Sequence, residues 1–175
     1  MVAPGLIERA SPSTHAQYLM SEPWIAEAEA LRGLRPRHLL FLCVANSARS
    51  QLAEGIARSL APEHVKISSA GSVPTSVRPQ AIEALREIGI DISHHTSTGL
   101  DEVERPVDAV VTLCAEQICP IWLEHAWTAH WGLPDPAVVV GSEEVRADEA
   151  SLGAFRSVRD ELRRRLSVVF ASTDV

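Results

Sequence analysis

Cys43, Arg49 and Ser50 belong to one short segment, residues 43–50, which reads Cys-Val-Ala-Asn-Ser-Ala-Arg-Ser. The apolar residues 39–42 before it are typical of a buried strand, and the residues after it have the pattern of a helix. The first backbone N–H groups of such a helix have no partner within it, so they bind anions. The same helix terminus favours the thiolate form of a nearby cysteine. This segment therefore predicts a pocket for a tetrahedral oxyanion, with a sulfur nucleophile at its base.

The other side chains of this segment suit the same chemistry. Arg49 carries a planar, permanently charged fork that binds two oxygens of one oxyanion. Ser50 is placed to donate a hydrogen bond to the Cys43 sulfur, and Asn46 tolerates a left-handed backbone. The predicted oxyanion-binding residues are Val44, Ala45, Asn46, Ser47, Ala48 and Arg49. The alternative is an inert buried cysteine, with Arg49 on a solvated helix face.

Short apolar runs alternate with helical patterns along the rest of the chain. Strands are predicted over residues 37–44, 65–70, 107–113 and 126–131. Helices are predicted over residues 50–60, 79–88 and 149–170, with a short helix or loop at 100–103. This alternation indicates an α/β fold, with a four-stranded parallel sheet and helices on both faces. Sites in such sheets lie at the carboxyl ends of the strands, where Cys43 and Cys114 both stand. Their sulfurs face each other if the first and third strands are neighbours.

Residues 1–36 form a separate part of the chain, a helical extension that precedes a domain spanning residues 37–175. Residues 22–34 are alanine-rich and predict a helix with one apolar face. Its apolar stripe consists of Trp24, Ile25, Ala28 and Leu31. We expect this helix to pack on the domain as a structural element, and a partner-docking or dimerisation helix is the alternative. The arginine run at residues 163–165 is expected on a solvated helix face.

Composition and charge exclude several function classes. The formal net charge of −7 and the isoelectric point near 5.5 argue against general binding to nucleic acid or to an anionic membrane surface. No apolar run approaches a membrane span and no signal-peptide pattern is present, so we expect a cytoplasmic protein. Three cysteines suit redox or catalytic use better than a secreted disulfide scaffold. The histidines lack zinc-site spacing, and neither a metal nor a cofactor is expected.

Several segments together resemble one protein family. The matching segments are residues 41–55, 69–71, 81–85, 90–97, 111–114 and 130–137. In this order they resemble the signatures of the low-molecular-weight tyrosine phosphatase superfamily, and its thioredoxin-coupled arsenate reductases most of all. The resemblance implies a flavodoxin-like winding of the sheet and arsenic detoxification as the role. It also implies arsenate as the substrate, with phosphate and sulfate as further anions that the loop binds.

The resemblance further implies a relay of three cysteines. Cys43 attacks arsenate, Cys114 attacks Cys43 and releases arsenite, and Cys119 then attacks Cys114, so that thioredoxin can reduce the resulting disulfide. Residues five apart on a helix are displaced by about 7.5 Å along its axis. A disulfide needs Cα atoms within roughly 4.4–6.8 Å, so the segment between the last two cysteines must be a loop or must unwind. The alternative is a pair of structural cysteines.

Two further assignments follow from the resemblance. Asp135, in the sequence Leu-Pro-Asp-Pro, matches a general acid that protonates the departing oxygen, and the alternative is a polar turn. Asn46, Glu54 and Ser69 match residues that bind a monovalent cation in some of the reductases. Thr98 stands where those proteins have a carboxylate, which predicts that the potassium site is weakened or lost and replaced by a hydrogen-bond network.

Three other function classes remain possible. A phosphatase would use Cys43, Arg49 and Asp135 with water as the second nucleophile. However, family phosphatases usually carry aromatic residues after Asp-Pro, where this chain has Ala137 and Val138. A mycothiol-dependent arsenate transferase would need neither of the two later cysteines, and a binding protein would leave Cys43 dispensable. We therefore rank the reductase first.

Overall fold

The computed structural model describes residues 23–115, 125–139 and 149–172, which form four helices and four strands. The helices are α1 (Pro23–Leu34), α2 (Arg49–Leu60), α3 (Pro79–Arg86) and α4 (Glu149–Val169), and the strands are β1 (His38–Cys43), β2 (Lys66–Gly71), β3 (Ala109–Cys114) and β4 (Trp127–Leu133). Two short 3-10 helices span Leu100–Glu102 and Pro136–Val139. The four strands and the four α-helices were predicted from the sequence, whereas the 3-10 helix Pro136–Val139 was not.

The four strands form one parallel sheet in the order β2-β1-β3-β4. From β1 the chain moves to β2 on one side, and later to β3 on the other. The strand order therefore reverses between β1 and β3, and ligand sites of such sheets form at this point. Cys43 ends β1 and Cys114 ends β3, so both cysteines lie at the same edge. The predicted α/β fold is confirmed.

The two faces of the sheet have different coverings. Strand β1 is buried at all of its positions, as expected for a central strand of a parallel sheet. Leu39 and Phe41 point into the larger core cluster, which contains residues from all four α-helices. Leu40 and Leu42 point into a smaller cluster, against which Leu100 of the first 3-10 helix packs. Among the described residues, the α-helices thus cover one face and a single short turn of helix covers the other.

Helix α1 packs on the terminal helix α4 and contacts strand β4. It buries Trp24, Ala28 and Leu31, which have the spacing of one helix face. The guanidinium groups of Arg164 and Arg165 lie 4.7 Å and 5.3 Å from the centroid of the Trp24 ring. The prediction of a solvated face for residues 163–165 is therefore wrong for Arg165, whose side chain is only 12% exposed. A guanidinium stacks favourably on an indole, and here that interaction draws the arginine inward.

None of the helices in the described ranges is long and apolar enough to cross a membrane.

Replacement of Trp24 by alanine tests whether α1 belongs to the cooperative core. Because the ring is 7% exposed, we expect W24A to lower the free energy of unfolding by about 3 kcal/mol, and W24F to lower it by less. Urea denaturation followed by circular dichroism measures both values. E29A, on the exposed face of the same helix, is the control and should change stability by less than about 0.5 kcal/mol. A W24A effect as small as that of E29A would contradict the prediction.

Candidate active site

The loop between β1 and α2 forms one wall of a pocket of about 220 Å³ at the carboxyl edge of the sheet. The pocket is lined by Cys43, Val44, Ala45, Ser47, Ala48, Arg49, Cys114, Asp135 and Val138. It therefore brings together most of the site residues predicted from the sequence. Asn46 and Ser50 lie behind the pocket wall and contact the lining residues, and Cys119 lies outside the described residues.

The backbone of residues 44–48 is turned so that its carbonyl groups face away from the pocket. The carbonyls of Val44, Ala45 and Ser47 accept hydrogen bonds from the N–H groups of Val73, Thr75 and Arg78, at 2.9, 3.1 and 2.9 Å. The Asn46 carbonyl accepts from the Ser97 hydroxyl at 2.7 Å. In a trans peptide the C=O and the following N–H point in opposite directions. The N–H groups of residues 45–48 therefore turn towards the pocket, as an oxyanion requires.

Gly71, the last residue of β2, allows this loop to lie against the sheet. A Cβ atom at this position would lie 2.4 Å from the Val44 carbonyl oxygen and 2.8 Å from the Asn46 nitrogen. Both of these atoms belong to backbone that cannot move without disturbing the loop. Gly71 belongs to one of the segments that resemble the family, residues 69–71, but its role was not predicted from the sequence. A glycine at a strand end is a signal of close backbone approach.

A chain of hydrogen bonds runs from Thr98 to the Cys43 sulfur. The Thr98 N–H donates to Asn46 Oδ1 at 2.8 Å, and because a backbone N–H can only donate, this bond fixes the orientation of the amide. Asn46 Nδ2 therefore donates to Ser50 Oγ, also at 2.8 Å. Ser50 Oγ lies 2.8 Å from Cys43 Sγ, and its hydroxyl donates to the sulfur when Cys43 is a thiolate. The side chains of Asn46, Ser50 and Cys43 are all buried, so this bond is shielded from water.

The second branch of the network runs from the loop to His95. Gln51 Nε2 lies within 3.2 Å of three oxygens, two on Asn46 and one on Thr96, so its Oε1 faces His95 Nδ1 at 2.9 Å. His95 must then carry its proton on Nδ1. Burial lowers the pKa of His95, whereas the Glu54 carboxylate acts in the opposite direction. The imidazole is therefore neutral at pH 7.

Arg49 and Asp135 lie on opposite sides of the pocket and are linked by an ion pair. Arg49 Nη1 donates to the Leu133 carbonyl at 2.9 Å, and its Nη2 lies 3.5 Å from Asp135 Oδ2. Asp135 Oδ1 accepts from the Ala137 N–H at 3.0 Å, in the first turn of the second 3-10 helix. These contacts hold the guanidinium and the carboxylate next to each other in the lining of the pocket. The arginine is 6% exposed, so its charge acts inside the pocket.

Cys43 and Cys114 form a small buried cluster, with Val44 packed against it. Their exposed fractions are 3% and 1%. The pairing of β3 with β4 shifts register between Thr112 and Cys114, at the pocket end of the strand. Because β1 and β3 are neighbours, the sequence-based expectation that the two cysteines share one pocket agrees with the structure. The predicted geometry of the segment that follows Cys114 concerns residues outside the described ranges.

A model of a known protein family matches most of this chain. The family model of the low molecular weight phosphotyrosine protein phosphatases matches residues 38–174. The chain belongs to this family. The resemblance inferred from the sequence is thereby confirmed.

Within the family, the chain is similar to arsenate reductases. The arsenate reductases of Halalkalibacterium halodurans and Bacillus subtilis are each 41% identical to it over 138 residues, which cover 77% of this chain and 95% of each relative. A solved arsenate reductase in the phosphate binding state is 32% identical, with a TM-score of 0.62, and the match covers 77% of this chain and 97% of that one.

Removal of the Ser50 hydroxyl tests the directed hydrogen bonds. We expect S50A to slow the alkylation of Cys43 by iodoacetamide at pH 7 on the order of fivefold, because the thiolate loses one hydrogen bond. Mass spectrometry of the alkylated peptide separates Cys43 from the other cysteines. S59A, in the same helix, is the control and should leave the rate unchanged.

Within the described residues, the hydrogen bonds link Asn46 to the sulfur through Ser50. N46A should therefore slow the same reaction, and the S50A/N46A pair should be no slower than S50A alone. Additive effects in the double variant would contradict the proposed order of the bonds.

His95 should make stability depend on pH in a defined direction. Because the folded-state pKa lies below the unfolded value near 6.5, the unfolded chain binds more protons in the window just below that value. Stability should therefore fall as the pH decreases from 7 towards 5, and by more in the wild-type protein than in H95Q. Urea unfolding at a series of pH values measures the two slopes, and equal slopes would contradict this assignment.

Proposed function

We propose that this protein reduces arsenate to arsenite by a cysteine relay that starts at Cys43 and that thioredoxin regenerates. The observation that carries the proposal is the packing of a second thiol, Cys114, against Cys43 within an oxyanion-binding pocket. A phosphatase has no use for a second buried sulfur at this point. The similarity to arsenate reductases supports the same choice. We further propose residues 37–175 as the catalytic domain and residues 1–36 as its extension.

The first step is attack of the Cys43 thiolate on arsenate. A sulfur–arsenic bond forms and one arsenic–oxygen bond breaks, while arsenic remains As(V). The inward N–H groups of residues 45–48 and the Arg49 guanidinium bind the remaining oxygens. Asp135 lines the same pocket, and in its protonated form it is proposed to give its proton to the departing hydroxyl of arsenate, so that the hydroxyl leaves as water. Its proximity to Arg49 places the carboxyl group beside the guanidinium that is proposed to bind the anion.

The second step transfers two electrons to arsenic. The Cys114 sulfur attacks Cys43 Sγ, forming a disulfide bond, while the sulfur–arsenic bond breaks and its electron pair stays on arsenic. Arsenic thereby becomes As(III) and leaves as arsenite, and the two thiols are oxidised to one disulfide. Attack at sulfur needs an approach opposite to the leaving group. The packing of the Cys114 side chain with Cys43 in one buried cluster supports that approach.

The third step moves the disulfide to a position that a protein reductant can reach. Cys114 is 1% exposed, so a partner as large as thioredoxin has no access to a disulfide between Cys43 and Cys114. Cys119 is proposed to attack Cys114, which restores the Cys43 thiol and leaves a disulfide between the two later cysteines. The dithiol of thioredoxin then reduces it. This partner also implies a reducing compartment, which we propose to be the cytoplasm.

A tyrosine phosphatase is the second candidate, because the family and the pocket are shared. At the pocket mouth, however, the residue after Ala137 is Val138, which is 76% exposed and has no ring to stack on an aryl phosphate. A mycothiol-dependent transferase would use neither Cys114 nor Cys119, whereas this chain retains both. These two features support the relay over either alternative.

Titration of thiols after one turnover tests the proposal. The fully reduced protein has three thiols, and we expect one to remain after reaction with arsenate in the absence of reductant, with one arsenite released per chain. The thiols are counted under denaturing conditions. An unchanged count of three thiols, together with hydrolysis of an aryl phosphate, would replace the reductase by a phosphatase.

Two serine variants separate the steps of the relay. C119S should release one arsenite per chain and keep no free thiol, because the disulfide stops at Cys43 and Cys114, and thioredoxin should not sustain turnover. C114S should release no arsenite and keep both of its thiols. Turnover of C119S with thioredoxin, or stoichiometric arsenite from C114S, would contradict the proposed order.

A further inference from the structure

A second polar cavity, of about 310 Å³, lies behind the oxyanion loop, between α2 and β2. Its lining includes Glu54, Arg58, Ser69 and Thr98. Three residues of this region, Asn46, Glu54 and Ser69, match the monovalent-cation ligands of some arsenate reductases. The structure allows a direct test of whether these residues fit such a cation in this chain.

The oxygens that would coordinate a cation are already bound to donors of the protein itself. Asn46 Oδ1 accepts from the Thr98 N–H and from Gln51 Nε2, at 2.8 and 3.0 Å. The other end of this amide, Nδ2, points to Ser69 Oγ at 2.8 Å, so it presents a donor where a cation needs an acceptor. Ser69 in turn donates to Glu54 Oε2 at 2.5 Å. These residues do not fit a bound potassium ion.

Arg58 supplies a positive charge next to the Glu54 carboxylate, where a monovalent cation would bind. Its Nη2 lies 2.6 Å from Glu54 Oε1 and 3.1 Å from the Ile67 carbonyl oxygen. One guanidinium nitrogen thus links a carboxylate of α2 to the backbone of β2, as a metal ion bridging two oxygens would. The Glu54 side chain is only 10% exposed, and a buried carboxylate without a partner is strongly unfavourable. The Arg58 side chain is 52% exposed and reaches this carboxylate from the solvent side.

We propose that Arg58 is a built-in replacement for the monovalent cation, and that it positions the oxyanion loop. It neutralises Glu54, which accepts the proton of Ser69. Ser69 accepts from Asn46, and the Asn46 amide also orients Ser50 towards the Cys43 sulfur. Arg58 touches neither the pocket nor the oxyanion, so it is a positioning residue. The inference concerns the binding of any tetrahedral oxyanion and does not depend on arsenate being the substrate.

Phosphate binding in two salts tests this inference. Calorimetric titration of the reduced full-length protein with inorganic phosphate is carried out in potassium chloride and in choline chloride at equal ionic strength, because the methyl groups on the choline nitrogen prevent oxygens from coordinating it as they coordinate potassium. The wild-type protein should bind phosphate equally in both salts. R58Q should bind about fivefold or more weakly in choline chloride, and should recover most of that affinity in potassium chloride. R86Q removes another arginine paired with a glutamate on a helix surface, and it should behave as wild type.

Two other outcomes of these phosphate titrations would overturn the inference. A wild-type affinity that rises with potassium would mean that the cavity still needs a free cation. An R58Q affinity that is unchanged, or that potassium fails to restore, would mean that Arg58 does not stand in for one. R58K keeps a cation at the same position and should match wild type in both salts. If R58Q does not fold, the phosphate affinities of R58K and of the wild-type protein in the two salts test the inference. The rate of Cys43 alkylation should follow phosphate affinity across the variants.

Discussion

The outward orientation of the carbonyl groups of residues 44, 45, 46 and 47 is the constraint on which the rest of the site depends. Each carbonyl accepts a hydrogen bond from the segments 73–78 or 97–98, or from a side chain of α2, and each therefore directs a peptide N–H into the pocket. The oxyanion site is thus made by the backbone, and small side chains are enough to build it. The close approach of the loop to β2 explains why Gly71 has no room for a Cβ atom. The sheet order then brings Cys114 to the same pocket.

Asn46 connects this backbone geometry to the charge distribution of the site. Its amide orientation is fixed by the Thr98 N–H, and Asn46 Nδ2 is therefore the donor to both Ser50 and Ser69. One branch of the network leads through Ser50 to the Cys43 sulfur. Another ends at Glu54, where a negative charge needs a positive partner. The loop therefore needs a cation on its rear side as much as a guanidinium on its front side, and Arg58 and Arg49 occupy these two positions.

The sequence allowed the sheet, the order of elements and the identity of the pocket residues to be predicted, because hydrophobic periodicity and the spacing of Cys43, Arg49 and Ser50 are local signals. A hydrogen-bond network behind the loop was expected, but most of its donors could not be identified from the sequence, since residues 73, 75, 78 and 98 are distant from the loop and donate through backbone N–H groups, which every residue type except proline carries. The error at Arg165 has a similar cause. A local pattern of three arginines indicates a solvated face, whereas the burial of Arg165 depends on contacts such as the one with Trp24, which is distant in sequence.

Discrimination between arsenate and phosphate cannot come from the pocket in the proposed reaction, because both anions are tetrahedral and make the same hydrogen bonds. It comes from the second thiol. Attack by Cys114 on Cys43 requires the departing atom to accept an electron pair, which As(V) does on becoming As(III), whereas thiols do not reduce P(V). A phosphorylated Cys43 would have to wait for water, while an arsenylated one is discharged by a neighbouring sulfur that is almost fully buried. The placement of Cys114 at the end of β3, beside the end of β1, is therefore the structural basis of the proposed specificity.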